Sequence, residues 1–223
     1  LARDLPSIQT LPILLNPPNG LLLQPTKIYD RSRENILFTF SPDDSPRRYI
    51  PLGDTNPQHL PQSLADAVIA TSDPNFYDHA GYNLASITNY ELHDTLAQRL
   101  VSDLLLFNEP PSFRRALRER ILAAQITSQF GRTQILEWYL NSAHFGRYAF
   151  GAESAAQLYF GKSATQLSTA ESAILAAVSD SPSLNPHDAP QTALERGRET
   201  IRKMSALGFL SDEATANALG ESP

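Results

Sequence analysis

Apolar residues recur every three or four positions along most of the chain, and that spacing places side chains on one side of an α-helix. Leu64, Ala65, Val68, Ile69 and Ala70 mark one helix between Pro61 and Thr71. Leu96, Leu100, Leu104 and Leu105 mark a second. In a third, Phe113, Leu117, Ile121 and Ala124 share one face, and Arg114, Arg115, Arg118, Glu119 and Arg120 fall on its polar side. Ile135, Leu136, Tyr139 and Leu140 give a fourth, which the glycine-bearing tract Asn141 to Gly151 brings to a stop. Ala152, Ala155, Ala156 and Tyr159 then form a face able to pack closely against a neighbour. Ser168-Thr169-Ala170-Glu171 has the spacing of a capping box and opens a helix with Ile174, Leu175 and Val178 inward. A last amphipathic helix, near Ala193 to Leu207, ends at Gly208 and closes the domain. Alternation appears in Lys27 to Phe40, where Ile28, Ile36, Phe38 and Phe40 surround Tyr29-Asp30-Arg31-Ser32-Arg33 and predict a small hairpin. Leu5 to Asn19, interrupted by four prolines, is a short helix or an extended arm. The fold class is mainly α.

Composition narrows the chemistry. The 223 residues suffice for one good-sized core, and 41% hydrophobic with 19% charged residues is ordinary for a globular chain. A net charge of -6 with no basic stripe excludes a broad nucleic-acid footprint. The absence of cysteine removes disulfides and thiolate metal sites. The five histidines lack the i, i+4 spacing of a helical zinc site, so a metal held through histidine is not expected. No run approaches the roughly 20 apolar residues of a membrane helix.

The tract from Ile135 to Gly161 carries Leu-Glu-x-Tyr-Leu-Asn, then Phe-Gly, then Tyr-Phe-Gly-Lys ending at Lys162. It resembles the C-terminal half of glycosyltransferase family 51, the peptidoglycan glycosyltransferase domain of class A penicillin-binding proteins and monofunctional transglycosylases. The family's first motif, Glu-Asp-x-x-Phe-x-x-His-x-Gly, matches Ser72 to Gly81 at Asp73, Phe76, His79 and Gly81, with Ser72 in the place of the Glu. Its second motif matches at Thr95, Gln98 and Leu100, with Ser102 where the family has Lys and Asp103 in the next position. Its third, Arg-Lys-x-x-Glu, matches at Arg115 and Glu119, with Ala116 for the Lys. Ser181 to Pro186 resembles the family's Pro-x-x-Tyr-Asn-Pro, and Tyr29-Asp30-Arg31 its opening hairpin, with Arg33 where a turn Gly is expected.

The resemblance implies a lysozyme-like, two-lobed helical domain with a small N-terminal β-hairpin over residues 25–223, preceded by an arm or linker over residues 1–24. It implies joining of lipid-linked disaccharide-pentapeptide units with inversion, outside the cytoplasmic membrane behind an upstream anchor, with a divalent cation (Mg or Mn) at the donor diphosphate. The implied catalytic residues are Glu119, Ser72 at the position of the family's general-base Glu, and Asp73 as a stand-in, and in a working transferase Glu119, Asp73 or Asp94 would have to replace the missing base. The implied substrate-binding residues are Phe76, His79, Thr95, Gln98, Arg99, Arg115 and Asn141. A serine hydroxyl has no accessible anionic form without a base of its own, and loss of a positioned base costs about 10²- to 10⁴-fold in rate. Two further readings therefore stand beside transfer. One is an inactive module binding the precursor or cell-wall synthesis proteins. The other is a helical adaptor using the N-terminal arm and the Tyr148 to Phe150 surface. The spacing of Arg115 and Glu119 is equally that of a solvated surface pair.

Overall fold

Ala170 through Ser179 are all buried, which makes α7 (Thr169–Asp180) the centre of the molecule. Small and aliphatic residues occupy every side of this helix, so it can be covered all round. It packs against α2 (Gln62–Ser72) and α8 (Pro190–Ala206). The approach to α8 depends on Gly197, where a Cβ would come within 2.5 Å of Ile174 Cγ1. The capping box forms as predicted: Ser168 Oγ accepts from Glu171 N, and Glu171 Oε2 accepts from Ser168 N.

The structure is a computed structural model, and it describes residues 4–24, 26–40, 47–53 and 57–221. The expected domain start at residue 25 lies outside these. The remaining elements are α1 (Thr10–Leu15), a hairpin of β1 (Thr26–Tyr29) and β2 (Ile36–Phe40), α3 (Leu96–Leu104), α4 (Phe113–Phe130), α5 (Arg132–Ser142), α6 (Ala152–Phe160) and α9 (Asp212–Gly220), with short 3-10 turns at Leu21–Leu23 and Ala164–Gln166. Among the described residues the class is mainly α with one antiparallel two-stranded sheet, as the patterning predicts. Arg33, in the hairpin turn, takes φ +62°, the left-handed backbone in which the family's Gly is at ease. The arm is held to the body: Leu11 and Leu15 are buried in the main core, and Trp138 Nε1 donates to Asn16 Oδ1 at 2.9 Å.

Two expectations need correction. The chain does not close at Gly208, because Ser211 caps a further helix, α9, by accepting from Ala214 N. That helix is largely exposed, so it carries little of the periodic signal from which helices are read. The second concerns α4. Arg115, Arg118, Glu119 and Arg120 are buried, whereas Phe113 is exposed and Leu117, Ile121 and Ala124 are only half-buried. Arg115 and Glu119 are therefore not a solvated pair. The apolar spacing identifies the helix but not the face that turns inward.

The Leu-Glu-Trp-Tyr-Leu-Asn motif in α5 is a clamp. Glu137 and Asn141, one turn apart, reach the same extended segment from Tyr49 to Leu52. Asn141 pairs with both backbone groups of Ile50, accepting from its N–H at 2.8 Å and donating to its carbonyl at 2.9 Å. Glu137 accepts from Leu52 N at 2.7 Å and from the Tyr49 hydroxyl. Replacing Asn141 with Leu keeps the volume but strands two buried backbone groups. Each stranded group costs about 1–3 kcal/mol, so denaturant unfolding should show a loss of that order or larger. Gly81 sits at φ +91°, where a Cβ would meet Thr127 Oγ1 at 2.0 Å. Gly81→Ala should lower stability by about 2 kcal/mol or more, from left-handed strain together with the clash, and an unshifted melting curve would contradict this packing.

Candidate functional site

The buried polar face of α4 meets α3, and Glu119 is where they join. Its carboxylate is 1% exposed. Gln98 Nε2 donates to Oε1 at 2.8 Å, and Arg115 Nη1 lies 3.4 Å from Oε2. Arg120 Nη1 adds a charge 3.8 Å from Oε1. His93 Nδ1 comes within 2.9 Å of Oε2 but off the line a hydrogen bond needs. A buried carboxylate is tolerated when opposite charge and donors surround it, and Glu119 has both. Ser102, in the place of the family's Lys, links two of these partners: its Oγ accepts from Arg115 Nη2 at 2.8 Å and lies 3.1 Å from His93 Nε2.

From Gln98 a hydrogen-bonded chain runs back to the first motif. Thr95 caps α3 by accepting from Gln98 N at 3.1 Å, and its hydroxyl donates to Gly81 O at 2.7 Å. Gly81 N donates to His79 Nδ1 at 3.0 Å. With Nδ1 accepting, the ring proton belongs on Nε2, which lies 2.8 Å from Asp73 Oδ1. The other oxygen, Oδ2, accepts from Leu96 N at 3.0 Å, at the start of α3. Burial pushes the Asp73 carboxyl up, opposed by its hydrogen bonds to His79 and Leu96. Both oxygens of Asp73 are thus engaged in holding the first motif to α3.

The network brings Asp73, His79, Thr95, Gln98, Arg115 and Glu119 together. Four of the other predicted residues lie outside it. Ser72 is 7% exposed, and its hydroxyl has no hydrogen-bond partner among the described residues. Phe76 is a core side chain, packed edge-on against Tyr77 at 5.2 Å. Asn141 is spent on the Ile50 clamp. Arg99 donates to His93 O at 3.3 Å and to Asp180 Oδ1 at 2.8 Å, and Asp180 also accepts from Arg196 at 3.1 Å.

Two open cavities adjoin this assembly. One, of about 480 Å³, is walled in part by Arg47, Ser102, Asp103, Arg115, Asn141 and His144. The other, of about 430 Å³, is walled in part by His93, Arg99, Asp103, Tyr139, His144 and Asp180. Glu119, Ser72 and Asp73 line neither, so the family carboxylate sits one layer behind the groove while its partners Arg115, Ser102 and His93 form the walls. Arg47 lies with its guanidinium carbon 4.5 Å from the Phe150 ring centroid and donates to Leu22 O. Sequence reasoning missed Arg47, Tyr139, His144 and Asp180 as groove residues, because nothing in their spacing links them. Asp103, next to Ser102 in the second motif, stands in the wall of both cavities.

The divalent cation implied by the resemblance has no ready-made cage. Among the described residues no group of three or more His, Asp or Glu is placed to hold one. Asp180 is taken up by two arginines and Glu119 by its own partners. This donor set does not fit a resident divalent cation.

The comparisons agree with the motif reading. The family model for transglycosylases matches residues 44–205. Penicillin-binding protein 1A of Rickettsia bellii (strain RML369-C) is 35% identical over 236 aligned positions, covering 98% of this chain and 28% of that protein. Penicillin-binding protein 2D of Bacillus subtilis (strain 168) is 30% identical, covering 78% of this chain and 26% of its own length. The chain thus spans about a quarter of the length of these curated relatives. The solved penicillin-binding protein 1A of Haemophilus influenzae covers 90% of this chain and 21% of its own, at 24% identity and a TM-score of 0.48, a likeness too distant to carry an argument. The family match covers well over half of the sequence, and the relatives are similar across most of it, so this chain belongs to the transglycosylase family.

Proposed function

We propose that the paired cavities bind a lipid-linked disaccharide-pentapeptide and that the domain joins such units into glycan strands by inverting transfer, with the family's base position left empty of a carboxylate. The observation that carries this reading is Arg115. It is held by Glu119 and Ser102, is 7% exposed and lines the larger cavity. A fixed guanidinium with donor capacity to spare suits a diphosphate, which accepts from it in forked geometry. Arg47 adds a second cation on the same cavity. The substrate's lipid would bring this groove to the outer face of the cytoplasmic membrane. No helix among the described residues is long and apolar enough to cross one, and an upstream anchor belongs to the same proposal.

In this reading Gln98, Thr95, His79 and Asp73 act through others: they set the position of Glu119, which sets Arg115. Ser72 takes no proton. Any divalent cation would come with the donor diphosphate and offset its charge, and no residue here is assigned to hold it.

A second reading draws on the same residues. Ser72 is not a carboxylate, and the oxygens of Asp73 and Glu119 are fully engaged, which favours a module that binds the precursor, or a cell-wall synthesis protein, without turning it over. Both readings require the groove to bind. Titration of detergent-solubilised lipid-linked disaccharide-pentapeptide should show saturable binding, weakened about 10- to 100-fold in Arg115→Ala, the value of one charge-assisted contact. Equal affinity in the variant would remove the groove from the account.

A further inference from the structure

Transfer requires a proton to leave the acceptor hydroxyl, and none of the family's carboxylate positions offers a free oxygen. Joining two sugars brings donor and acceptor to one point, so a base belongs where two subsites meet. The two cavities meet at two side chains, Asp103 in the last turn of α3 and His144 in the turn after α5. Asp73 and Glu119 are buried and bonded, whereas Asp103 is exposed along the groove. Charged and titratable groups surround it: His93 from the loop before α3, Arg99 on its own helix, Arg115 from α4, Tyr139 from α5, and Glu119 from the layer behind the groove. His144 stands on the same seam, Asp180 of α7 lines the second cavity and Arg47 the first.

We propose that Asp103 is the general base of this site, an inference that rests on the glycosyltransfer reading. Its carboxylate takes the proton of the acceptor hydroxyl as that oxygen bonds to the anomeric carbon of the donor. The bond from that carbon to the diphosphate oxygen breaks, its electron pair stays with the oxygen, and the diphosphate departs as an anion beside Arg115 and Arg47. The protonated Asp103 then returns its proton to groove water.

Crowding by the two walls strips part of the hydration from the Asp103 carboxyl and pushes it up, against the pull of His93, Arg99 and Arg115 and with a further push from Glu119. Water along the groove limits how far the shift goes. An upward displacement brings the group towards working pH, where a general base is most effective.

The test is glycan-strand formation from lipid-linked disaccharide-pentapeptide in Mg²⁺ buffer, comparing the unaltered chain with Asp103→Asn and measuring precursor affinity on the same samples. The expected result is polymer from the unaltered chain, with Asp103→Asn folded, equal in affinity and slower by about 10²- to 10⁴-fold. The base works deprotonated, so the rate of the unaltered chain should climb as pH rises through the Asp103 pKa, and the variant should lose that limb. Polymer formed equally fast by the variant would overturn Asp103 as base and leave glycosyltransfer standing. Precursor bound without polymer from either protein would overturn the base assignment and favour the binding module. Neither binding nor polymer from the unaltered chain would overturn the glycosyltransfer reading as well.

Discussion

The structure depends on the pairing of a buried carboxylate. Helix α4 turns Arg115, Arg118, Glu119 and Arg120 inward and leaves Phe113 to solvent, an arrangement that only compensating charge and hydrogen bonds can sustain. Arg118 reaches Glu109 and the Asp4 carbonyl, and Arg120 reaches the carbonyls of Asn83 and Ala116. Glu119 supplies the negative charge between Arg115 and Arg120. The loop before α3, the cap of α3 and the segment carrying the first motif are all tied back to this carboxylate through Gln98. The shape of the groove follows from that constraint, since Arg115 and Ser102 are at once partners in the network and walls of the larger cavity.

The same reasoning separates the motifs into those that build and those that face substrate. Glu137 and Asn141 belong to the strongest sequence signal, yet both grip the backbone of the segment from Tyr49 to Leu52. His79 and Asp73 likewise spend their polar atoms on Gly81, Leu96 and each other. A family can therefore be recognised from residues that hold its scaffold even where a position assigned to chemistry has changed, as at Ser72. Membership of the family fixes the fold and the groove more firmly than it fixes the reaction.

Most helices were legible because their signals are local. The capping box at Ser168, the apolar faces of α2 and α5 and the glycine after α8 each act within a turn or two. The inward face of α4 was not legible, since the rule that charges face water fails where a distant Gln98, Glu109 or Asn83 supplies the partner. Helix α9 left only its cap, Ser211, and the acidic first turn Asp212-Glu213 as a signal. Motif resemblance singled out Asp73, His79, Thr95, Gln98 and Glu119, but their connection through Gly81 and the Thr95 hydroxyl is a product of the tertiary fold. Asp103 is visible in the sequence only as a departure within the second motif, and its place between two cavities is a product of the tertiary fold.

The most direct test is a crystal structure of the protein with a lipid-linked disaccharide-pentapeptide bound. The account predicts the diphosphate against Arg115 in the larger cavity and the sugars across the seam at Asp103 and His144. Density for the precursor elsewhere, on the exposed Tyr148 turn or at Ser72 with the groove empty, would contradict it.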